Sequence, residues 1–208
     1  MIIDYLNKNG LIVATKNKGK LKEISKYFEP YNINLFSLND LEHDIEINEN
    51  GTTFQENALK KAISIYLYTN KAVLADDSGL VVPELGGEPG VFSSRYSGDN
   101  ANDQNNIEFL LNKLSNRGLK NPSAYFWCNM ALLIPKCPII ESYGKLEGII
   151  IDTLKGSDGF GYDPIFYIAN KNKTVAEISL QEKNEISHRA LALQNLLVKI
   201  KDINFEAK

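Results

Sequence analysis

The stretch on which the reading of this chain turns is Leu74-Ala75-Asp76-Asp77-Ser78-Gly79. An apolar run that begins at Ala72 ends there in two carboxylates, a hydroxyl and a glycine. Successive strand residues point to opposite faces, so Asp76 and Asp77 cannot share a face while the strand continues. One then faces a ligand while the other anchors the turn. Gly79 lets the backbone bend, because glycine takes positive φ without steric cost. Acids at the end of a buried strand suit a divalent-metal site for a phosphate-bearing substrate. Taken alone, the same residues equally describe an Asp-rich turn, and the flanking sequence has to decide.

Upstream, Leu11-Ile12-Val13-Ala14-Thr15 reads as a buried strand. It leads through Lys16-Asn17-Lys18-Gly19-Lys20 into a helix with Leu21, Ile24 and Phe28 on one face, stopped by Pro30. Strand, glycine loop and helix is an arrangement that holds phosphate on loop N–H groups and the positive helix end. The spacing is T-x-N-x-G-K and not that of the P-loop. Lysines at 16, 18, 20, 22 and 26 face only one acid in this segment, Glu23. The whole chain has a net charge of −3, but screening acts over about 8 Å at physiological salt, so the local patch decides. A lysine about 4 Å from a phosphate charge gains roughly 4 kcal/mol at an effective dielectric of 20, before desolvation. The competing description is a solvated lysine-rich helix face.

Between these segments, Asn34 to Ser37 predicts a short strand, Asp44 to Ile47 an exposed strand beside a surface His43, and Glu49-Asn50-Gly51 a turn. Thr53 predicts the N-cap of a helix to about Thr69, with Glu56 as capping-box partner and Phe54, Ala58, Ala62 and Ile65 as the buried stripe. After the acidic turn comes a tight loop, Gly86-Gly87-Glu88-Pro89-Gly90. Arg95 follows among hydroxyls, either as a phosphate contact or as a tie to backbone carbonyls. A helix over 107–114 and a strand over 124–134 come next, then strands over 139–143 and 148–151 read as a hairpin around Gly144. The loop Gly159-Phe160-Gly161-Tyr162-Asp163-Pro164 interleaves aromatics with acids, and strands are predicted at 165–168 and 175–178. Ser187 predicts the N-cap of a last helix burying Leu191, Leu197 and Ile200. His188 and Arg189 then fall in its first turn, where cations oppose the helix dipole at about 0.3–1 kcal/mol each, which suggests that they meet an anion or a purine edge.

The bulk numbers set the class. With 208 residues the chain lies between one large domain and two small ones. Its 43% hydrophobic content suffices for a sizeable core. Nothing global advertises nucleic acid, and no apolar run approaches the ~20 residues of a membrane helix. The N-terminus lacks the basic region of a signal peptide. The only cysteines, Cys128 and Cys137, make no disulfide framework or zinc spacing, and a cytoplasmic location is expected.

Five motifs now stand in order: Thr15-Lys16-Asn17-Lys18-Gly19-Lys20; Asp76-Asp77-Ser78-Gly79-Leu80; Gly86 to Gly90 with Ser94-Arg95-Tyr96; Gly159 to Pro164; and Glu182-Lys183-Asn184 with Ile186-Ser187-His188-Arg189. Together they resemble the inosine triphosphate pyrophosphatase family, the XTP/dITP diphosphatases, over residues 11–197. The resemblance implies a two-lobed α/β fold, with a long mixed central sheet, helices, and a nucleotide cleft between the lobes. It makes residues 1–208 a single domain of this type with residues 1–10 as an N-terminal extension. The implied activity is hydrolysis of ITP, dITP and XTP to the monophosphate and pyrophosphate with Mg²⁺, by a homodimer that meets neither nucleic acid nor membrane. Carried over by residue, Thr15, Asn17 and Lys20 hold the phosphates with Lys16, Lys18 and Gly19 between them. Asp77 resembles the proton acceptor and metal ligand, Glu49 the second metal ligand, and Ser78 a substrate contact. Phe160, Gly161, Tyr162, Asp163, Lys183, His188 and Arg189 form the implied base pocket. Three positions depart from the family pattern: Glu88 replaces a common alanine, Ala190 a glycine, and Leu154-Lys155-Gly156 a P-R-G.

The base reading has a physical form. A 6-keto purine presents an acceptor where adenine presents a donor, and Arg189 has donors only. Leaving a buried donor unpaired costs roughly 1–3 kcal/mol. Phe160 either stacks on the purine or packs its own loop. Two other functions fit parts of the pattern: a Maf-like nucleotide pyrophosphatase of different specificity, and a nucleotide-binding module without turnover. Lys183 with His188 and Arg189 argues against the first, and intact Asp77 and Glu49 against the second.

Overall fold

The computed structural model describes residues 1–42, 45 and 47–203, without the side chain of Asp202. Of the predicted strand at 44–47 only Ile45 and Ile47 are described, and neither lies in a strand; the surface assignment of His43 falls outside the described residues. The strands are β1 (Leu11–Val13), β2 (Leu35–Ser37), β3 (Val73–Val81), β4 (Ser123–Leu133), β5 (Ile140–Ile150), β6 (Phe166–Ile168) and β7 (Lys173–Thr174). They form a seven-stranded sheet in the order β2-β1-β3-β4-β5-β6-β7. It is mixed: β1 runs parallel to β2 and β3, while β6 runs antiparallel to β5 and β7. The helices are α1 (Ile2–Asn9), α2 (Lys18–Phe28), α3 (Phe54–Thr69), α4 (Asp103–Asn116), α5 (Leu180–Ile186) and α6 (His188–Asp202).

The chain divides into two compact units. Unit 1 comprises Met1–Asp77, Cys128–Gly144 and Arg189–Lys208; unit 2 comprises Ser78–Trp127 and Lys145–His188. In unit 1 the strand alternation sorts side chains into two cores. Leu11, Val13, Leu74, Met130 and Leu132 pack with Ile2 and Leu6 of α1, Ile24 and Phe28 of α2, and Leu193 and Leu196 of α6. Ile12, Ala14, Val73, Ala75, Ala131 and Leu133 point the other way, onto Ala58, Ala62 and Ile65 of α3. The sheet of unit 1 therefore has helices on both faces, as buried parallel strands require.

Several expectations are corrected here. Residues 1–10, expected as an N-terminal extension, form α1, on which Ile2 and Leu6, four apart, are fully buried and which closes with Gly10 N–H donating to the Leu6 carbonyl at 2.7 Å. Strand β3 does not end at Ala75, before the acidic pair, but runs on to Val81. Gly79 is not among the positive-φ glycines. It is needed for close approach, because a Cβ there would sit 2.3 Å from Ser93 Oγ. The predicted hairpin around Gly144 is one unbroken strand, β5.

In unit 2, Leu80, Ile107, Leu110, Phe126, Tyr162, Ile165 and Phe166 share one core. Helix α4 begins earlier than predicted, at Asp103, where Asn102 accepts from Asn105 N–H at 2.9 Å. The predicted strand at 175–178 is instead a 3₁₀ turn, Val175–Glu177. A separate helix, α5, precedes α6; Ser179 and Glu182 cap it reciprocally. Ser187 stands in extended conformation between the two helices. The buried stripe of α6 is Ala192, Leu193, Leu196 and Ile200, with Leu191 and Leu197 only half-buried.

Candidate active site

Because β3 continues through the acidic pair, alternation assigns each carboxylate a face. Asp76 follows Leu74 toward α2 and α6, and Asp77 follows Ala75 toward α3. The hydrogen bonds agree. Asp76 Oδ2 accepts from Lys20 Nζ of α2 at 2.8 Å and from Arg189 Nη2 of α6 at 3.4 Å. Asp77 Oδ2 accepts from the Asn57 amide of α3 at 3.1 Å.

The two carboxyls are driven in opposite directions. Asp76 is 2% exposed. Burial alone would raise its pKa, but Lys20, Arg189 and Lys61 together hold it well below the ordinary carboxylate range. For Asp77, 8% exposed, the balance is reversed. Burial pushes it up to about 6, with Glu49 adding to the rise against Lys61, Lys20 and the Asn57 hydrogen bond. A carboxyl poised near neutrality is what a proton acceptor needs.

Lys61, which the sequence motifs did not single out, organises the α3 side. It is 7% exposed, and its ammonium pairs with Glu49 at 2.5 Å and donates to the Asp76 carbonyl at 3.0 Å. Burial opposes its charge, yet Asp76, Glu49 and Asp77 outweigh this and raise its pKa. Asn57 is equally committed: its Oδ1 accepts from Gly51 N–H at 2.7 Å while its amide holds Asp77. The signal was present, since Asn57 and Lys61 interrupt the stripe of Ala58, Ala62 and Ile65 at helical spacing. Thr53 caps α3 as expected, accepting from Glu56 N–H at 3.1 Å, and the Glu56 carboxylate reaches back to Thr52 N–H at 2.7 Å.

The lysine loop has a less uniform role than its sequence suggests. Asn17 caps α2, accepting from Lys20 N–H at 3.1 Å, and its own N–H donates to Thr15 Oγ1 at 3.1 Å. Lys16 and Lys18 are exposed and Gly19 is half-buried at the helix start. Lys20, expected to hold phosphate, has its ammonium on Asp76. Arg189, expected to read a purine, is 1% exposed; its guanidinium lies between Glu23 at 2.5 Å and Asp76. The anion that this first-turn cation meets is thus the protein's own.

Unit 2 gathers the remaining predicted residues. Asp163, 3% exposed, accepts from Lys183 Nζ at 2.6 Å and from Phe160 N–H at 3.0 Å. The Lys183 ammonium also lies 4.6 Å from the Phe160 ring centroid, a cation–π contact. Gly159 sits at φ 84°, where a Cβ would come 2.0 Å from Asp163 Oδ2. His188 is buried and stacks on Phe126, centroids 4.9 Å apart. Ser78 is half-buried and Gly161 donates its N–H to Asp103 at 2.7 Å. Tyr162 is buried, and its hydroxyl donates to the Ser93 carbonyl at 2.9 Å. Arg95 is exposed, its guanidinium 5.2 Å from the Phe92 ring centroid.

Glu88 is absorbed by its surroundings. It accepts from Tyr96 Oη at 2.7 Å and pairs with Lys113, contacts that lower its pKa. The pair is substantially exposed, so Glu88→Ala is expected to cost no more than about 1 kcal/mol. Thermal unfolding should shift by only a few degrees, with unchanged steady-state kinetics.

The Ham1 family model matches residues 11–199. A dITP/XTP pyrophosphatase of Bacillus anthracis is 45% identical over 193 residues, 91% of this chain and 95% of that protein. The dITP/XTP pyrophosphatase of Bacillus subtilis (strain 168) is 45% identical over 185 residues, 89% and 93% of the two chains. Among solved structures, a HAM1 protein from Coxiella burnetii superposes with a TM-score of 0.85 at 38% identity, covering 94% of this chain and 100% of that one. With the family pattern matched over nearly the whole chain and the α/β fold shared with solved relatives, this protein belongs to the Ham1 family.

Proposed function

We propose that this chain hydrolyses non-standard purine nucleoside triphosphates (ITP, dITP and XTP) to the monophosphate and pyrophosphate, with Mg²⁺, as a homodimer in the cytoplasm. The observation that carries the reading is the Asp77 carboxyl: almost buried, pushed up to about 6, and aimed by Asn57 beside the Lys61–Glu49 pair. The names of two relatives, each at 45% identity, support the substrate class. Free Cys128 and Cys137 agree with a reducing compartment.

The residues present fit Mg²⁺. Asp77 and Glu49 offer hard oxygen donors, and the Glu49 charge is felt at Asp77. Among the described residues no group of three or more His, Cys, Asp or Glu stands ready to hold an ion alone. Mg²⁺ keeps several waters and takes one or two carboxylates plus substrate phosphates, so Asp77 and Glu49 would suffice to hold it. When bound, it neutralises phosphate charge and supports attack at the reacting phosphorus.

Asp77 takes the proton of the attacking water, directed at the α-phosphorus so that pyrophosphate leaves. Near pH 7 it is largely ionised yet more basic than an ordinary carboxylate. Lys61 keeps Glu49 in place and supplies positive charge beside the reacting group. Lys16 and Lys18, with the N–H groups at the α2 terminus, meet the phosphates. Lys20 acts on that end through Asp76. For the base, Lys183 offers donors only and matches a 6-keto acceptor, while Phe160, Asp163 and His188 shape its surroundings. Arg189 joins base reading only by leaving Glu23 and Asp76. Ser78 and Arg95 stay assigned as substrate contacts.

Pyrophosphate release over a panel of dITP, ITP, XTP, dGTP, dATP and pyrimidine triphosphates, with Mg²⁺ and with EDTA, tests this. The 6-keto purines dITP and XTP should exceed dATP in kcat/KM by about a hundredfold or more, and EDTA should abolish release. No pyrophosphate from any of them would overturn the reading. Sedimentation should give twice the 23.3 kDa chain mass.

A further inference from the structure

The loop that carries Phe160 and Asp163 is tied down by two residues with no assigned part in the reaction, Ser93 and Asp103. Tyr162, in the middle of the loop, is 5% exposed and sends its hydroxyl to the Ser93 carbonyl at 2.9 Å. Ser93 is itself a hub. Its Oγ accepts from Leu80 N–H at 2.9 Å and donates to the Gly90 carbonyl at 2.6 Å. Leu80 lies on β3 two residues after Ser78, so Ser93 connects the strand that bears Ser78 to the loop that bears Phe160. The absence of a Cβ at Gly79 is what lets Ser93 approach that strand. On the other side of Tyr162, Gly161 N–H donates to Asp103 Oδ2, at the first residue of α4, at 2.7 Å.

We propose that Ser93 and Asp103 are positioning residues that hold the Gly159–Asp163 loop in its binding-ready form, with Tyr162 as the strut and not a substrate contact. The physical case is preorganisation. A glycine-flanked loop has high conformational freedom, and ordering it when substrate arrives would subtract from affinity. Three hydrogen-bonded anchors fix it beforehand: Tyr162 on Ser93, Gly161 on Asp103, and Phe160 N–H with Lys183 on Asp163. The third anchor consists of residues assigned to the base, so the first two decide whether the third is in place. The inference deepens the base-end reading above and rests on it.

Two conservative variants test it. Tyr162→Phe removes the hydroxyl and keeps the ring in the core. Asp103→Ala removes the acceptor for Gly161 at an exposed position, where folding is not at stake. Each should raise KM for dITP about threefold to tenfold, the size of one net hydrogen bond, and lower the dITP/dATP ratio of kcat/KM by a similar factor. The kcat for dITP should stay within about twofold, because the phosphate-end groups are untouched. Hydrogen exchange should show faster exchange of the Phe160–Asp163 amides in both variants. Unchanged KM and selectivity overturn the proposal. A raised KM with wild-type exchange means that the lost groups touch substrate themselves, and also overturns it. Should the parent protein turn over no purine triphosphate, the functional reading fails separately, and exchange alone then decides: faster loop exchange upholds the anchoring, unchanged exchange refutes it.

Discussion

Asp77→Asn should abolish pyrophosphate release, by about a thousandfold or more, and at the same time stabilise the folded protein at neutral pH. The first effect follows from the proposed role, since a positioned general base contributes about 10²–10⁴ in rate and the same carboxyl is assigned to the metal. The second follows from its environment. A carboxyl whose folded-state pKa is about 6 binds its proton more tightly folded than unfolded, where the value is about 3.9. Its contribution therefore favours the folded state below pH ~4 and is lost as pH rises through 6. Two units correspond to about 3 kcal/mol, so Asn, which carries no charge and keeps an oxygen for the Asn57 amide, should gain about 1–3 kcal/mol at pH 7.5. Denaturant midpoints at pH 7.5 and pH 4 check this: the gain should be present at the first and absent at the second. Mg²⁺ should stabilise the parent protein at pH 7.5 and leave the variant almost unmoved.

The neighbouring substitution should do the opposite. Asp76→Asn removes an acid that Lys20 and Arg189 share. Breaking a buried ion pair from one side costs about 3–5 kcal/mol, because charge is left behind without its partner. Here the folded-state pKa lies below the unfolded value, so the stabilisation is present above pH ~4 and disappears as pH falls further. The gap between parent and Asp76→Asn should be widest near neutrality and close in acid. Adjacent aspartates on one strand thus give stability changes of opposite sign. The cause is the two-residue period of the strand, which sends one toward a pair of cations and the other toward an amide.

That contrast also marks how far the sequence could be read. The alternation of Asp76 and Asp77 was legible, because it depends only on strand geometry. The continuation of β3 was not: Asp, Ser and Gly are poor strand residues, and the strand persists because Ser93 Oγ takes the Leu80 N–H and Gly79 lets it in. Helix α2 followed from local signals, as did α3 with its Thr53 cap. Helix α1 was missed because a segment of eight residues is marginal as a helix by itself, and burial of Ile2 and Leu6 against distant strands stabilises it. The unbroken β5 hid behind Gly144, which ordinarily signals a turn. In the site, residue types could be listed but not their commitments. Nothing local announces that Arg189 pairs with Glu23, 166 positions earlier, or that Lys20 belongs to Asp76. Lys61 and Asn57 were legible in principle, as polar interruptions of an apolar helical stripe.

If Asp77 directs water onto the α-phosphorus of a 6-keto purine triphosphate, the oxygen of that water ends in the nucleoside monophosphate. The most direct measurement is hydrolysis of dITP with Mg²⁺ in ¹⁸O-labelled water, with mass analysis of both products. The expected products are dIMP and pyrophosphate in equal amounts, with one labelled oxygen in dIMP and none in pyrophosphate. Label in pyrophosphate, or release of orthophosphate with dIDP, would contradict it.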